Sequence, residues 1–431
     1  MQKTDKWSEQ ISFYRFWKNE KVSESALSRC AINHCIRESH SVPHILLLED
    51  TTEMNLESHR QRIKDHNGLG VVGNNKDLGF FFHPTLAVNA CDNSLLGVAD
   101  IHLWHRQENA LKKDVRNLPI EKKESYRWPE RAIAAKNNFP SDVQLTVVQD
   151  REGDIYESFC QLHSSGLDFV IRASYDRKLS SSTHKLKEHI SELSPVYNYE
   201  LEVKGNNKQR KKRNALMEVR FEKVSLLAPE HLVNLEDYPP SLSLYVLQVK
   251  EKQESVPRTE KPIEWTLYTT HQVCDEKQAL QIVQYYASRW IIEDLFRTIK
   301  TEGVNYESSE LESGTALRKL FMMALIAAIQ LLQLRQSRQG NTSQQTSLVF
   351  SDEQVACMED LLPRLEGKTE KQKNPFTQTN LAWATWIIAR LGGWKGYASQ
   401  RPPGVITLHQ GWTRFNNIFE GWDMAKNVYK R

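Results

Sequence analysis

Two aspartates stand at the ends of two similar apolar runs. HILLLED (44–50) ends in Asp50, and VQLTVVQD (143–150) ends in Asp150. Short apolar runs bounded by polar residues predict buried strands, and chemistry in α/β sheets gathers at strand ends. A third carboxylate, Glu293, lies in YYASRWIIEDLFRTIK (285–300). Tyr286, Arg289, Glu293, Arg297 and Lys300 follow one another at spacings of 3, 4, 4 and 3. At about 100° per residue they share a helical face roughly 80° wide, with Ile291, Leu295 and Ile299 opposite. A carboxylate that can hold a cation, set among cations that can hold phosphates, is the mixture phosphodiester chemistry uses. The same spacing also suits a solvated face with Arg289–Glu293 and Glu293–Arg297 ion pairs, worth roughly a few tenths of a kcal/mol each.

The elements around these residues can be read from periodicity and punctuation. Residues 10–40 read as helical, with Ser23 as an N-cap. Strand-like runs follow at 44–52, 80–84 and 95–106, with a Gly/Asn-rich loop or hairpin at 67–79. Residues 121–138 read as largely helical, with Pro129 at a boundary or kink. A strand at 143–150, a helix at 153–163 and a strand at 168–174 complete an α/β order around one mixed sheet. Residues 175–275 break that order and read as a mostly β insertion, with strands at 217–227, 243–250 and 265–270 and a basic run at 204–213. One long helix is predicted over 276–300, a core helix over 316–335, a helix over 381–391 and a last one from about 408. The expected division is a helical connecting region (1–42), the first part of the core (43–174), the β-rich insertion (175–275), the last part of the core (276–340) and a helical C-terminal region (341–431).

Composition adds limits. The chain has 39% hydrophobic and 26% charged residues and a formal net charge of +3, so any case for nucleic-acid binding rests on local clusters. The six cysteines form no CxxC pair; Cys30, His34 and Cys35 lack the second half of a zinc site and read as reduced thiols. The polar N-terminus does not resemble a signal peptide. Leu320–Leu334 is apolar but interrupted by two glutamines, and reads as a core helix rather than a membrane span. Trp383, Trp386, Trp394, Trp412 and Trp422 read as core packing.

The motifs together resemble those of the bacterial insertion-sequence DDE transposases with the YREK motif. Tyr286, Arg289, Glu293 and Lys300 stand in the Tyr-x2-Arg-x3-Glu-x6-Lys register. DTT at 50–52 is similar to the family's first-aspartate motif, and DREGD at 150–154 to its second. The likeness extends from YRFWKNEKVS (14–23) to IARLGGW (388–394).

The resemblance implies an RNase H-like mixed-sheet core, a β insertion and a helical C-terminal region that dimerises. It implies that Asp50, Asp150 and Glu293 bind two Mg²⁺ ions, with Mn²⁺ able to substitute, and that Asp154 is a supporting acid. Trp265 would hold a base flipped from the stack. Tyr286, Arg289, Lys300, Arg297 and Arg172 would contact DNA, as would Lys208, Arg210, Lys211, Lys212 and Arg213 of the basic run. The implied activity is cut-and-paste transposition: endonuclease nicking, hairpin formation and strand transfer, on transposon ends and target DNA. It implies a synaptic homodimer in the bacterial cytoplasm, associated with the nucleoid, with no membrane and no small-molecule substrate. Tyr156 stands where some relatives have a histidine. Relatives carry a further small helical end-binding domain ahead of the region matched here. The expected alternative is therefore an N-terminally truncated inhibitor acting by mixed dimerisation, or an inactive remnant. A domesticated host nuclease is a third reading.

Overall fold

The computed structural model describes residues 7–107, 117–180, 182–203, 212–397 and 399–428. In chain order it has helices α1 (Trp7–Lys18) and α2 (Glu24–Glu38), then strands β1 (His44–Glu49), β2 (Thr52–Asn55), β3 (Gly70–Val71), β4 (Leu78–Asn89) and β5 (Leu95–Trp104). Next come α3 (Arg127–Lys136), β6 (Gln144–Gln149), α4 (Tyr156–Ser164), β7 (Asp168–Arg172) and α5 (Leu186–Glu192). Strands β8 (Tyr197–Val203), β9 (Arg213–Leu227), β10 (Ser241–Glu251) and β11 (Glu264–Thr269) follow. The rest is helical: α6 (Glu276–Ala287), α7 (Trp290–Arg297), α8 (Gly314–Ser337), α9 (Asp352–Leu365), α10 (Leu381–Leu391) and α11 (Val405–Val428). The expected α/β fold with a mixed sheet and a helical C-terminal region is present. The chain folds as two compact units, one of residues 43–50 and 111–289, the other of 1–42, 51–110 and 290–431.

The first unit is a seven-stranded sheet in the order β1-β6-β7-β11-β10-β9-β8. The β1–β6 and β6–β7 pairs are parallel, and the rest are antiparallel. Strands β1 and β6 are buried along nearly their whole length and on both faces, as parallel strands require, with Ile45, Leu46, Leu47, Leu48, Leu145, Val147 and Val148 as their apolar residues. Phe159 of α4 stacks on Phe169 and meets Tyr268, which fixes α4 to one face. Tyr286 of α6 meets Trp265, whose side chain shares the other face with Leu267 and its cross-strand partner Arg172. The segment expected to be an insertion is continuous with this sheet: β11 pairs directly with β7, and the segment also contains α5 and β8, which were not among the expected elements.

In the second unit, β4 pairs with β2, β3 and β5. Helices α2 and α8 pack on β5. Ser23 caps α2 as expected, accepting the Ala26 N–H at 3.1 Å. Pro129, in the other unit, lies in the first turn of α3, where its missing N–H costs nothing. Helix α8 is long and apolar enough to cross a membrane by length and composition, but more than half of its most apolar stretch is buried. Phe321 packs edge-on against Phe80, Phe82 and Tyr306. Lys319, also buried, donates to the Trp17 and Asn19 carbonyls at the end of α1, a favourable place for a cation. All six cysteine thiols are free, and burial pushes that of Cys35 up to about 12.

The aromatic cluster gives a direct test of α8 as a core element. Phe321→Ala should lower unfolding free energy by about 3–5 kcal/mol, measured by urea titration with a circular dichroism readout. An unchanged midpoint would contradict the packing described.

Candidate active site

The register of β1 with β6 runs from His44 opposite Gln144 to Leu48 opposite Val148. Carried on by two residues, it sets Glu49 beside Gln149 and Asp50 beside Asp150. Parallel neighbours lie about 4.8 Å apart, so the two aspartates occupy adjacent strand ends. Residues directly opposite in the ladder share a face, so Gln149 lies with Ile171 on the α4 side. Alternation turns Asp50 and Asp150 toward the α6 side.

Each aspartate is held. Asp150 caps the 3-10 turn Arg151–Gly153 by accepting the Glu152 N–H at 2.8 Å. Asp50 accepts from Arg289 Nη1 at 2.6 Å, with both side chains mostly buried. A charge-assisted bond of this length restrains the carboxylate strongly. Beneath them, Gln149 Nε2 donates to Glu49 Oε2 at 2.7 Å, and both side chains are fully buried. The sequence reading overlooked this pair. The available signal was a polar residue closing each apolar run, one position before each aspartate, where alternation points it into the core.

The second-aspartate motif contains a further acid enclosed by protein. Asp154 is fully buried, accepts the Ser174 and Tyr175 N–H groups at 2.6 and 2.8 Å, and is paired with the Arg177 guanidinium. That agrees with a supporting role. Tyr156 is buried and donates to the Pro239 carbonyl at 2.9 Å; burial and the neighbouring Cys160 push its phenol well above the ordinary range.

The long helix expected over 276–300 is interrupted, which corrects the single five-residue stripe. Helix α6 ends at Ala287. The Ser288 hydroxyl donates back to the Gln284 carbonyl, the Ser288 N–H is shared among carbonyls of the last turn, and the Arg289 N–H closes a tight bond to Tyr286. The chain restarts at Trp290 as α7 and passes into a π-helical turn, Thr298–Glu302, that holds Lys300. Angles calculated for an unbroken helix do not carry from Tyr286 and Arg289 to Glu293, nor from there to Lys300. Tyr286 is buried, whereas Glu293 and Lys300 are half-buried. The buried residues of α7 are Ile292, Leu295 and Phe296, so Ile291 is not the core position expected. Glu293 belongs to the second compact unit, four residues along the chain from Arg289.

The other expected DNA contacts have varied surroundings. Arg172 is half-buried and donates to the Glu264 carbonyl at 3.2 Å. Trp265 is half-buried against Tyr286, with ring centroids 5.8 Å apart. Arg297 is exposed and pairs with Asp294 at 3.0 Å. Lys212 is exposed and pairs with Glu202 at 2.7 Å. Arg213 is mostly buried between Glu251 and Glu260, so its guanidinium is a structural cation, not a surface contact for phosphates. Lys208, Arg210 and Lys211 lie outside the described residues.

Residues 146–330 match the family model described as the transposase DDE domain. The match includes Asp150 and Glu293 and begins after Asp50. It supports a DDE transposase, a class of enzyme that acts on DNA and generally uses divalent metal ions. The mixed parallel and antiparallel sheet with its helices agrees with the RNase H-like core of such enzymes.

The assignment of Asp154 is testable. Asp154→Asn breaks a buried ion pair and should cost about 3–5 kcal/mol in urea unfolding. Its folded fraction should bind Mn²⁺ as the unaltered chain does. Loss of Mn²⁺ binding with undiminished stability would make Asp154 a ligand.

Proposed function

From the match to the transposase DDE domain, we propose that the chain is a cut-and-paste DNA transposase of the YREK type, with Asp50, Asp150 and Glu293 as its catalytic carboxylates. The observation that carries this reading is the in-register β1–β6 pairing, which sets Asp50 and Asp150 at adjacent strand ends. Their oxygens form a hard, acceptor-only donor set suited to Mg²⁺, with Mn²⁺ as a substitute. Bound by the three carboxylates, two such ions would supply an activated water or 3′-hydroxyl and a stabilised leaving oxygen.

The chain's own residues do the rest. The Glu152 N–H orients the Asp150 carboxylate, and Arg289 orients that of Asp50. Both are restrained before DNA arrives, which lowers the ordering cost of the reacting geometry. Tyr286, Arg289, Lys300, Arg297 and Arg172 bind phosphates around the cleaved end, with Lys208, Arg210, Lys211 and Lys212 adding backbone contacts from the basic run. Trp265 offers a ring face to a base displaced from the duplex, relieving the strain of a hairpin end. The reaction is hydrolytic nicking, hairpin formation, second-strand release and strand transfer. Helices α9 to α11 join two copies in the synaptic complex; Ile406, Ile418 and Met424 on α11 are exposed apolar residues available for that contact.

The test is nicking of supercoiled DNA by the purified chain in Mn²⁺. Glu293→Ala should lower the rate at least about 10²–10³-fold, the scale seen when transition-state charge stabilisation is lost, with an unchanged circular dichroism spectrum. Full activity in Glu293→Ala would overturn the carboxylate assignment.

A further inference from the structure

We propose that Glu49 and Gln149 form a positioning pair that sets the spacing of Asp50 and Asp150 and thereby the metal affinity of the site. The inference rests on the carboxylate assignment above and adds two residues to it.

Each member directly precedes one aspartate, and they stand opposite one another in the β1–β6 register. Gln149 Nε2 donates to Glu49 Oε2 at 2.7 Å and reaches the Trp128 carbonyl of α3 at 3.5 Å. Both side chains have no solvent exposure. A buried carboxylate is costly unless hydrogen bonds hold it, so its place at this strand end calls for a specific return. The bond between Glu49 and Gln149 ties the two strand ends across the ladder where backbone pairing stops. A change of separation here moves both aspartates with it.

The pair also supports the turn that follows Asp150. A Cβ built on Gly153 would lie 2.3 Å from Gln149 Oε1 and 2.8 Å from its Cβ. The 3-10 turn Arg151–Gly153 thus rests directly on the Gln149 side chain, and the glycine of DREGD is needed for that approach. The Asp150 carboxylate caps this same turn through Glu152. Gln149 therefore acts on Asp150 twice, through the strand before it and the turn after it. The amide orientation is set by Glu49: reversed, Gln149 would point its oxygen at a carboxylate. In this orientation Gln149 Oε1 is buried and accepts no hydrogen bond among the described residues. Such an orphaned acceptor is a cost, and it persists because the amide is committed to Glu49.

The test compares Mn²⁺ affinity, read from free Mn²⁺ by electron paramagnetic resonance, in folded full-length variants. Gln149→Leu and the isosteric Glu49→Gln should each weaken Mn²⁺ binding about 10–100-fold, the range for groups that orient metal ligands. The double exchange Glu49→Gln with Gln149→Glu restores one amide and one carboxylate, and should recover most of the affinity. A Glu49→Gln variant that binds Mn²⁺ as the unaltered chain does would overturn the inference, as would failure of the double exchange to recover. Asp150→Asn is the control. Its binding should fall steeply; if it instead matched the unaltered chain, the carboxylate assignment itself would fail, and the positioning pair with it.

Discussion

Parallel pairing of β1 with β6 is the constraint on which the site depends. Five register pairs, His44 with Gln144 through Leu48 with Val148, leave no freedom in where the strand ends meet. A one-residue slip would turn Asp50 and Asp150 to different faces and set Glu49 or Thr51 of one strand against Asp150, or Gln149 or Arg151 of the other against Asp50. The apolar content of both strands enforces the register, because both faces are covered by protein. The geometry proposed for catalysis is thus inherited from core packing. The two aspartates do not need to find each other; burial of Ile45, Leu46, Leu47, Val147 and Val148 brings them together.

Around this pair, buried hydrogen bonds and ion pairs are arranged in layers. Glu49 and Gln149 lie beneath the aspartates, Arg289 meets Asp50 from the end of α6, and Asp154 and Arg177 lock the loop after β7. These are short, mostly buried, charge-assisted contacts, the class in which direction and length are well defined. The exposed cations differ in kind. Arg297 and Lys212 make partly or largely solvated pairs that exchange at little cost, which is compatible with the DNA contacts proposed for them. Arg213 has the opposite character, buried between two carboxylates, and belongs to the sheet rather than to any surface.

Much of the fold was legible in the sequence because strong signals were local. Short, mostly apolar runs bounded by polar residues gave β1 and β6, Ser23 gave the start of α2, and LAWATWIIARL gave α10 to the residue. The strand ends carried the aspartates with them, so part of the site came with the fold. Other features depended on tertiary context. The break at Ser288–Arg289 is invisible to periodicity, since neither residue is a helix breaker and the apolar pattern runs on. It arises where the last turn of α6 tightens and Arg289 commits to Asp50. Strand β8 is a different case: YNYELEV alternates apolar and polar residues at every position, so its strand character was legible although it was not assigned, and it pairs with β9. The burial of Arg213 could not be inferred from the run KQRKKR (208–213), because its partners Glu251 and Glu260 lie far along the chain.

The most direct test of the account is where a divalent cation binds. Crystals grown with Mn²⁺ and measured for anomalous scattering should show a peak bound by the Asp50 and Asp150 carboxylates, lost in Asp150→Asn. Among the described residues, the one cluster of three ligating groups already within 4.8 Å of one another is the exposed set His184, Glu188 and Glu192. A Mn²⁺ peak at that cluster with none at Asp50 and Asp150 would contradict the account.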